Sequence, residues 1–260
     1  MSTLRVASRP RAFVRVVGRD AIDYLQRMLS NDVPVFPNWD VVDALLLTPK
    51  GRVIAPVRVL RDSADDDFIL LTEPELGERV RDELLRMRFA AKCDIELEHH
   101  DSYILFGEPD AGIPNDDYGI LAREVIDEPE LDTAERVDAV ELERMRIEAC
   151  TPRWGYEIDE TILPAEAGLD ETHISFTKGC YPGQEPIARL HHRGHVNRRL
   201  RVLEADAAEP GDELSHEGKV VGRVTSAVPG RALAYVRTEV PAGAALSLSS
   251  GGSARLLESK

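Results

Sequence analysis

Apolar positions along this chain fall into short blocks whose period changes, and the changes predict the elements. Phe13 to Val17 reads as a strand, after which Asp20 caps a helix whose Ile22, Leu25 and Leu29 recur at helical spacing until Asn31-Asp32 stops it. Val41 to Leu47 and Val53 to Leu60, joined by the turn Thr48-Pro49-Lys50-Gly51, predict an antiparallel hairpin, and Phe68 to Leu71 adds a strand. Pro74 opens a second helix with Leu76, Val80, Leu84 and Met87 on one face, and strands follow at Ile95 to Leu97 and Tyr103 to Phe106. Gly107 to Leu131, rich in Pro, Gly and Asp, predicts a path over the surface before a third helix from Val137 to Arg146.

Beyond Arg198 the pattern shortens. Leu200 to Leu203, Val220 to Thr225, Ala232 to Val236 and Leu246 to Leu248 are separated by Gly and Pro turns, as in a small all-β unit, and Gly251-Gly252-Ser253 is either a last hairpin turn or a loose tail. Hairpins mixed with helices, without regular βαβ crossovers, predict an α+β fold, divided into a body over residues 1–195 and a β-unit over 196–260. No GxGxxG or GxxxxGK[ST] phosphate loop is present.

Composition changes the picture in three ways. No run approaches the roughly 20 apolar residues of a membrane span, and Arg5, Arg9 and Arg11 interrupt any signal-peptide core, so a cytoplasmic protein is expected. Cys93, Cys150 and Cys180 are odd in number and form no CxxC pair, which predicts reduced thiols. A net charge of −15 opposes general nucleic-acid binding. Against that average, Lys178, Arg189, Arg193, Arg198, Arg199 and Arg201 face the single acid Glu185, a local balance of +5 that is either a solvated basic face or an anion site.

The densest candidate chemistry is Lys178-Gly179-Cys180-Tyr181-Pro182-Gly183-Gln184-Glu185. Its glycines predict a tight exposed loop, and Pro186 suits the first turn of a helix beginning beside Glu185. Cys180 then lies just before a helix N-terminus and near Lys178, two reasons for a reactive thiol; the alternative is a small buried hydrophobe, to which Cys93 and Cys150 are assigned. His191, His192 and His195 have the spacing of two helical ligands, but Gly194 intervenes and a closed site needs about four, so no metal is expected. Glu148, at a helix end, is either solvated or held by a donor.

The loop resembles the K-G-C-[YF]-x-G-Q-E signature of the YgfZ-type folate-binding proteins, relatives of the glycine-cleavage aminomethyltransferase, or T-protein. Ile187-Ala188-Arg189 and Arg193-Gly194 extend the match. Tyr24-Leu25-Gln26 and Ser30-Asn31-Asp32-Val33 resemble its F-L-Q…[TS]-N-D-[VI], Lys50-Gly51-Arg52 its [KQ]-G-R hairpin, and Gly222-Arg223-Val224-Thr225-Ser226 its G-x-V-T-S strand. Arg146-Ile147-Glu148-Ala149 looks like R-x-E-A-G, with Cys150 replacing the glycine.

The resemblance implies a T-protein-like α+β body of mixed antiparallel sheets and helices around a central cleft, with a C-terminal β-barrel. It implies a tetrahydrofolate or a derivative as ligand, polyglutamylated in form, contacted by Glu148, Lys178, Tyr181, Gly183, Gln184, Arg189 and Arg193. Glu148 would meet the N–H edge of the pterin, and arginines between Arg189 and Arg201 the glutamate tail. Cys180 becomes the functional thiol, beside Lys178.

The implied role is support of iron–sulfur cluster assembly or repair, with client proteins or the assembly machinery as partners; three scattered cysteines do not supply the four thiolates of an ordinary cluster. Aminomethyl transfer, the alternative, relies in T-proteins on an aspartate in the strand after the glycine hairpin. Ala55 and Pro56 stand at the acidic positions here, which leaves such an activity to another acid such as Asp43 or Asp62.

Overall fold

A computed structural model describes residues 4–33, 41–62, 66–107, 112–127 and 134–258. The body runs, in chain order, through β1 (Arg5–Ser8), β2 (Ala12–Val17), α1 (Ala21–Met28), β3 (Val41–Leu47), β4 (Val53–Arg61), β5 (Asp67–Thr72), α2 (Gly77–Met87), β6 (Asp94–Glu98), β7 (Ser102–Phe106), β8 (Ile113–Asn115), β9 (Ala122–Ile126), β10 (Glu135–Arg136), α3 (Ala139–Glu148) and α4 (Gln184–Arg193). One antiparallel sheet has the order β3-β4-β5-β2-β6 and a second the order β10-β1-β7-β9-β8, in which only β1 and β10 run parallel.

The first sheet is the one the apolar blocks predict. β4 is buried along nearly its whole length, as expected of a strand covered on both faces, and pairs with β3 through the predicted hairpin. Gly51, at φ 71°, completes the turn by donating its N–H to the Thr48 carbonyl at 2.9 Å. α1 and α2 lay Leu25, Met28, Val80 and Leu84 on this sheet. Asp20 stands at the N-cap of α1 without capping it: its carboxylate accepts instead from the Lys92 N–H at 2.8 Å, tying the helix entry to the segment before β6.

The second sheet departs from expectation. The stretch from Gly107 to Leu131 does more than cross the surface, because Ile113–Asn115 and Ala122–Ile126 are strands paired to β7; residues 108–111 and 128–131 lie outside the described residues. Pro114 sits on the edge strand, where a missing N–H costs no ladder bond, and the brevity of β8 hides its period. Phe13, Leu60, Ile69 and Leu71 of the first sheet pack on Ile113 of the second.

The C-terminal unit is a closed antiparallel barrel of β11 (Arg198–Ala205), β12 (Glu213–His216), β13 (Lys219–Val228), β14 (Gly230–Arg237), β15 (Ala245–Leu248) and β16 (Ser253–Leu256), sealed where Leu203 pairs with Leu256. Gly251-Gly252 is the last hairpin turn. Leu200, Leu233 and Tyr235 of the barrel share a core with Leu45, Leu47 and Val53 of the hairpin, Ile147 of α3 and Ile187 of α4. Among the described residues no helix is long and apolar enough to cross a membrane.

Candidate functional site: a two-lobed central cleft and the signature loop

Arg58 interrupts the apolar run of β4 and is buried, so its guanidinium must be paired. It donates to Asp43 on β3 at 2.9 Å and to Glu124 on β9 at 3.1 Å. Glu124 has no exposed surface and also accepts from Arg11 at 2.8 Å, from Ser102 at 2.9 Å and from Asn115 at 3.2 Å. This lattice joins the two sheets. Burial resists ionisation of Glu124, but Arg11 and Arg58 outweigh it and pull the carboxyl down to about 2; in the same way Arg58 holds Asp43 below its ordinary value against burial.

Around this lattice lies a cleft of two lobes that share Asp43, Arg58, Asp117 and His173. The smaller, about 260 Å³, is walled by Arg9, Glu73, Tyr118, Glu143 and Arg153. The larger, about 640 Å³, is walled by Glu148, Cys150, Thr172, Arg199, Arg201 and Arg231. Glu148 ends α3 with 45% of its side chain exposed, and its carboxylate lies 3.4 Å from Arg231 Nε. Both alternatives for this residue meet here: it is solvent-accessible, and a cation stands beside it. The next turn places Cys150 in the left-handed region, at φ 60°. Burial pushes the Cys150 thiol up to about 11.

α3 is held in place by motif residues that the sequence lists separately. Arg146 donates to Glu157 at 2.9 Å and to Ser226 of β13 at 2.9 Å, and Ser226 donates to Glu157 at 2.6 Å, so the R-x-E-A and G-x-V-T-S segments meet over one buried carboxylate.

The signature loop is built against α1 and the hairpin. Gly183, the N-cap of α4 at φ 83°, approaches so closely that a Cβ there would lie 2.5 Å from the Thr48 carbonyl oxygen, so the loop and the hairpin turn are docked through glycines. Lys178 Nζ donates to the carbonyls of Leu29 at 2.8 Å and Asn31 at 2.5 Å, and burial lowers its pKa to about 8. Asn31 in turn donates to the carbonyls of Asp43 and Thr172, and Ser30, fully buried, donates to the His173 carbonyl at 2.6 Å. The Ser30-Asn31-Asp32 segment is therefore the link between the loop and the cleft wall. Cys180 is exposed, three residues before the N-cap of α4.

The expected ligand-contacting set is thus divided. Glu148 lines the cleft. Lys178, Tyr181, Gly183, Gln184, Arg189 and Arg193 do not: Lys178 is spent on backbone carbonyls, Tyr181 is buried in the core shared with the barrel, Gly183 is docked on the hairpin turn, Gln184 opens α4, and Arg189 and Arg193 are exposed along that helix. Of the basic strip, Arg199 and Arg201 reach the larger lobe, while Arg198 pairs with Glu166 at 3.0 Å. His191 stacks on Phe176 with ring centroids 3.8 Å apart. Among the described residues no group of three or more His, Cys, Asp or Glu is placed to hold a metal ion.

Sequence reasoning missed Arg58, Arg231, Asp117 and His173 as cleft residues. Arg58 alone carried a signal, a charge inside an apolar run. Ala55 is fully buried and Pro56 lines the smaller lobe, and neither side chain can exchange a proton. Asp43 does reach the cleft, already paired with Arg58.

Comparison with known proteins agrees with this architecture. Residues 187–257 match the family model of the CAF17 C-terminal beta-barrel domain. The chain is 31% identical to the mitochondrial iron–sulfur cluster assembly factor IBA57 homolog of Mycosarcoma maydis, over 78% of this chain and 57% of that protein. It is 26% identical to the tRNA-modifying protein YgfZ of Hamiltonella defensa, over 76% of this chain and 69% of that one. The glycine cleavage system aminomethyltransferase T of Bartonella henselae superposes with a TM-score of 0.83 at 18% identity, covering 99% of this chain and 86% of that structure. Together these likenesses support a YgfZ-type, T-protein-like family for the chain. The T-protein likeness shows the fold: a body of mixed sheets with a C-terminal barrel. The YgfZ-type signature is the loop from Lys178 to Glu185, and the chain spans little more than half the length of the fungal relative.

Proposed function

We propose that this chain binds a tetrahydrofolate in the central cleft and supports iron–sulfur cluster assembly or repair in client enzymes of the cytoplasm, with exposed Cys180 as its functional thiol. The observation that carries the reading is the pairing of Glu148, at the rim of the larger lobe, with a wall that also bears Arg199, Arg201 and Arg231. A carboxylate accepts from the N–H edge of a pterin, and the arginines suit the carboxylates of a glutamate tail. The lobe's volume falls within the range of roughly 300–1,000 Å³ typical of small-molecule sites. The role in cluster assembly is supported by the likeness to the IBA57 homologs, which are iron–sulfur cluster assembly factors; the likeness to YgfZ, a tRNA-modifying protein, points to tRNA modification as the process served.

The test is calorimetric titration of tetrahydrofolate into the reduced protein under anaerobic conditions. Wild type binds, Glu148→Ala loses about tenfold or more in affinity, corresponding to about 1.4 kcal/mol, and Cys180→Ala binds as wild type. Polyglutamylated tetrahydrofolate binds more tightly than the monoglutamate. A folded wild type that binds neither overturns the reading. Aminomethyl transfer is the second reading, favoured only by Asp43 in the cleft; because Arg58 holds that carboxylate below its ordinary value, it is a weak base, and no tetrahydrofolate-dependent turnover of an aminomethyl donor is expected.

A further inference from the structure

His173 occupies the neck of the cleft, the only imidazole lining both lobes among the described residues. Its backbone is fixed on both sides, the N–H donating to Leu169 at 2.9 Å and the carbonyl accepting from Ser30 at 2.6 Å. Its ring is fixed as well, with Nδ1 2.7 Å from Thr172 Oγ1, while Nε2 has no hydrogen-bond partner among the described residues. The charged groups at the neck are already paired: Asp43 and Asp117 face Arg58 and Arg11. We propose that His173 is the ligand-contacting group at the neck, its Nδ1–H held by Thr172 so that Nε2 accepts an N–H of the bound reduced folate, which makes occupancy of the cleft pH-dependent. This deepens the folate reading and rests on it.

The charges that face the ring come from three elements: Asp43 on β3 and Asp117 between β8 and β9 favour its protonation, and Arg58 on β4 opposes it. Burial is the largest influence and pushes the imidazole below its ordinary value, so at neutral pH it is uncharged and able to accept. Protonation, as pH falls below the usual histidine range, turns Nε2 into a donor that meets the ligand N–H and ends the bond. The loss of one hydrogen bond of this kind corresponds to a fall in affinity of about tenfold.

The experiment is titration of tetrahydrofolate at a series of pH values from 7.5 to ~5, anaerobically, with wild type, His173→Gln and Thr172→Val. Glutamine offers a carbonyl at the reach of Nε2 that does not titrate. Wild-type affinity is expected to fall about tenfold over the series, His173→Gln to show at most about a twofold change, and Thr172→Val to bind a few-fold more weakly at pH 7.5 with the slope kept. A wild-type slope that persists in His173→Gln, or a flat wild type, overturns the role of His173 while leaving folate binding intact. Absence of binding by the folded wild type at every pH overturns the folate reading and this proposal with it.

Discussion

In the cleft wall, Arg58 draws its partners from Asp43 on the neighbouring strand and Glu124 on the other sheet, and Glu124 reaches back to Arg11 near the N-terminus. In the signature loop, the shape comes from backbone: Gly183 turns the chain into α4, Pro186 lies in its first turn, and Lys178 donates to the carbonyls of one distant short segment, Leu29 to Asn31. Both regions fix polar groups in semi-buried surroundings. One does so by charge pairing between side chains, the other by backbone geometry, and they should fail differently when broken.

Removing one partner from the lattice has the largest expected effect. Glu124→Gln leaves Arg11 and Arg58 facing an uncharged amide in a buried setting, and such a break costs about 3–5 kcal/mol. Denaturant unfolding followed by circular dichroism measures it. The same group predicts acid sensitivity with a definite sign. Its folded pKa, about 2, lies below the ordinary 4.5, so its stabilisation is complete above 4.5 and is lost as pH falls from there toward 2. Glu124→Gln should flatten that limb of the stability profile. A loss below about 1 kcal/mol would mean that the lattice is replaceable and that the cleft wall is held by apolar packing alone.

Breaking the loop should cost less in stability and act locally. Gly183→Ala places a Cβ against the Thr48 carbonyl at a backbone angle that L-residues avoid, a strain of about 1–3 kcal/mol. Amide exchange should rise in residues 178–187 and in the 48–51 turn but stay unchanged in β9. Exchange that rises throughout the protein would show that the loop and the lattice unfold together, and would remove the distinction.

This difference also explains what the sequence made legible. The hairpin, the four body helices and four of the barrel strands were readable from period and turn residues, because those signals are local. β1, β8 and β9 were not: they are short, and β8 carries Pro114 on an edge, so neither length nor period marks them. The loop motif was readable as a loop, yet the expectation that its residues share a site with Glu148 did not follow from its spacing. Lys178 and Gly183 answer to the backbone of α1 and the hairpin, a requirement that appears only when those elements are packed. His173 and Arg231 were invisible for the same reason, since nothing beside them in the chain differs from a solvated surface.

Cys150 lies between the two kinds of region and gives the smallest expected effect. Its turn is local, as the left-handed backbone angle of 60° shows, but its Sγ lies 3.7 Å from the Leu200 carbonyl, joining the end of α3 to the first barrel strand. Cys150→Gly relieves a left-handed conformation worth about 1 kcal/mol and gives most of that back through the freedom glycine gains in the unfolded chain. The net change is expected within about 0.5 kcal/mol, whereas Cys150→Val, β-branched at the same angle, costs about 1–3 kcal/mol. Thermal unfolding of the pair separates the contributions. If Cys150→Gly destabilises by more than about 2 kcal/mol, the thiol contact to the barrel outweighs the turn, and the floor of the larger lobe belongs with the long-range lattice; if it is neutral, the turn governs, and the glycine of the family and the cysteine here are two solutions to one backbone requirement.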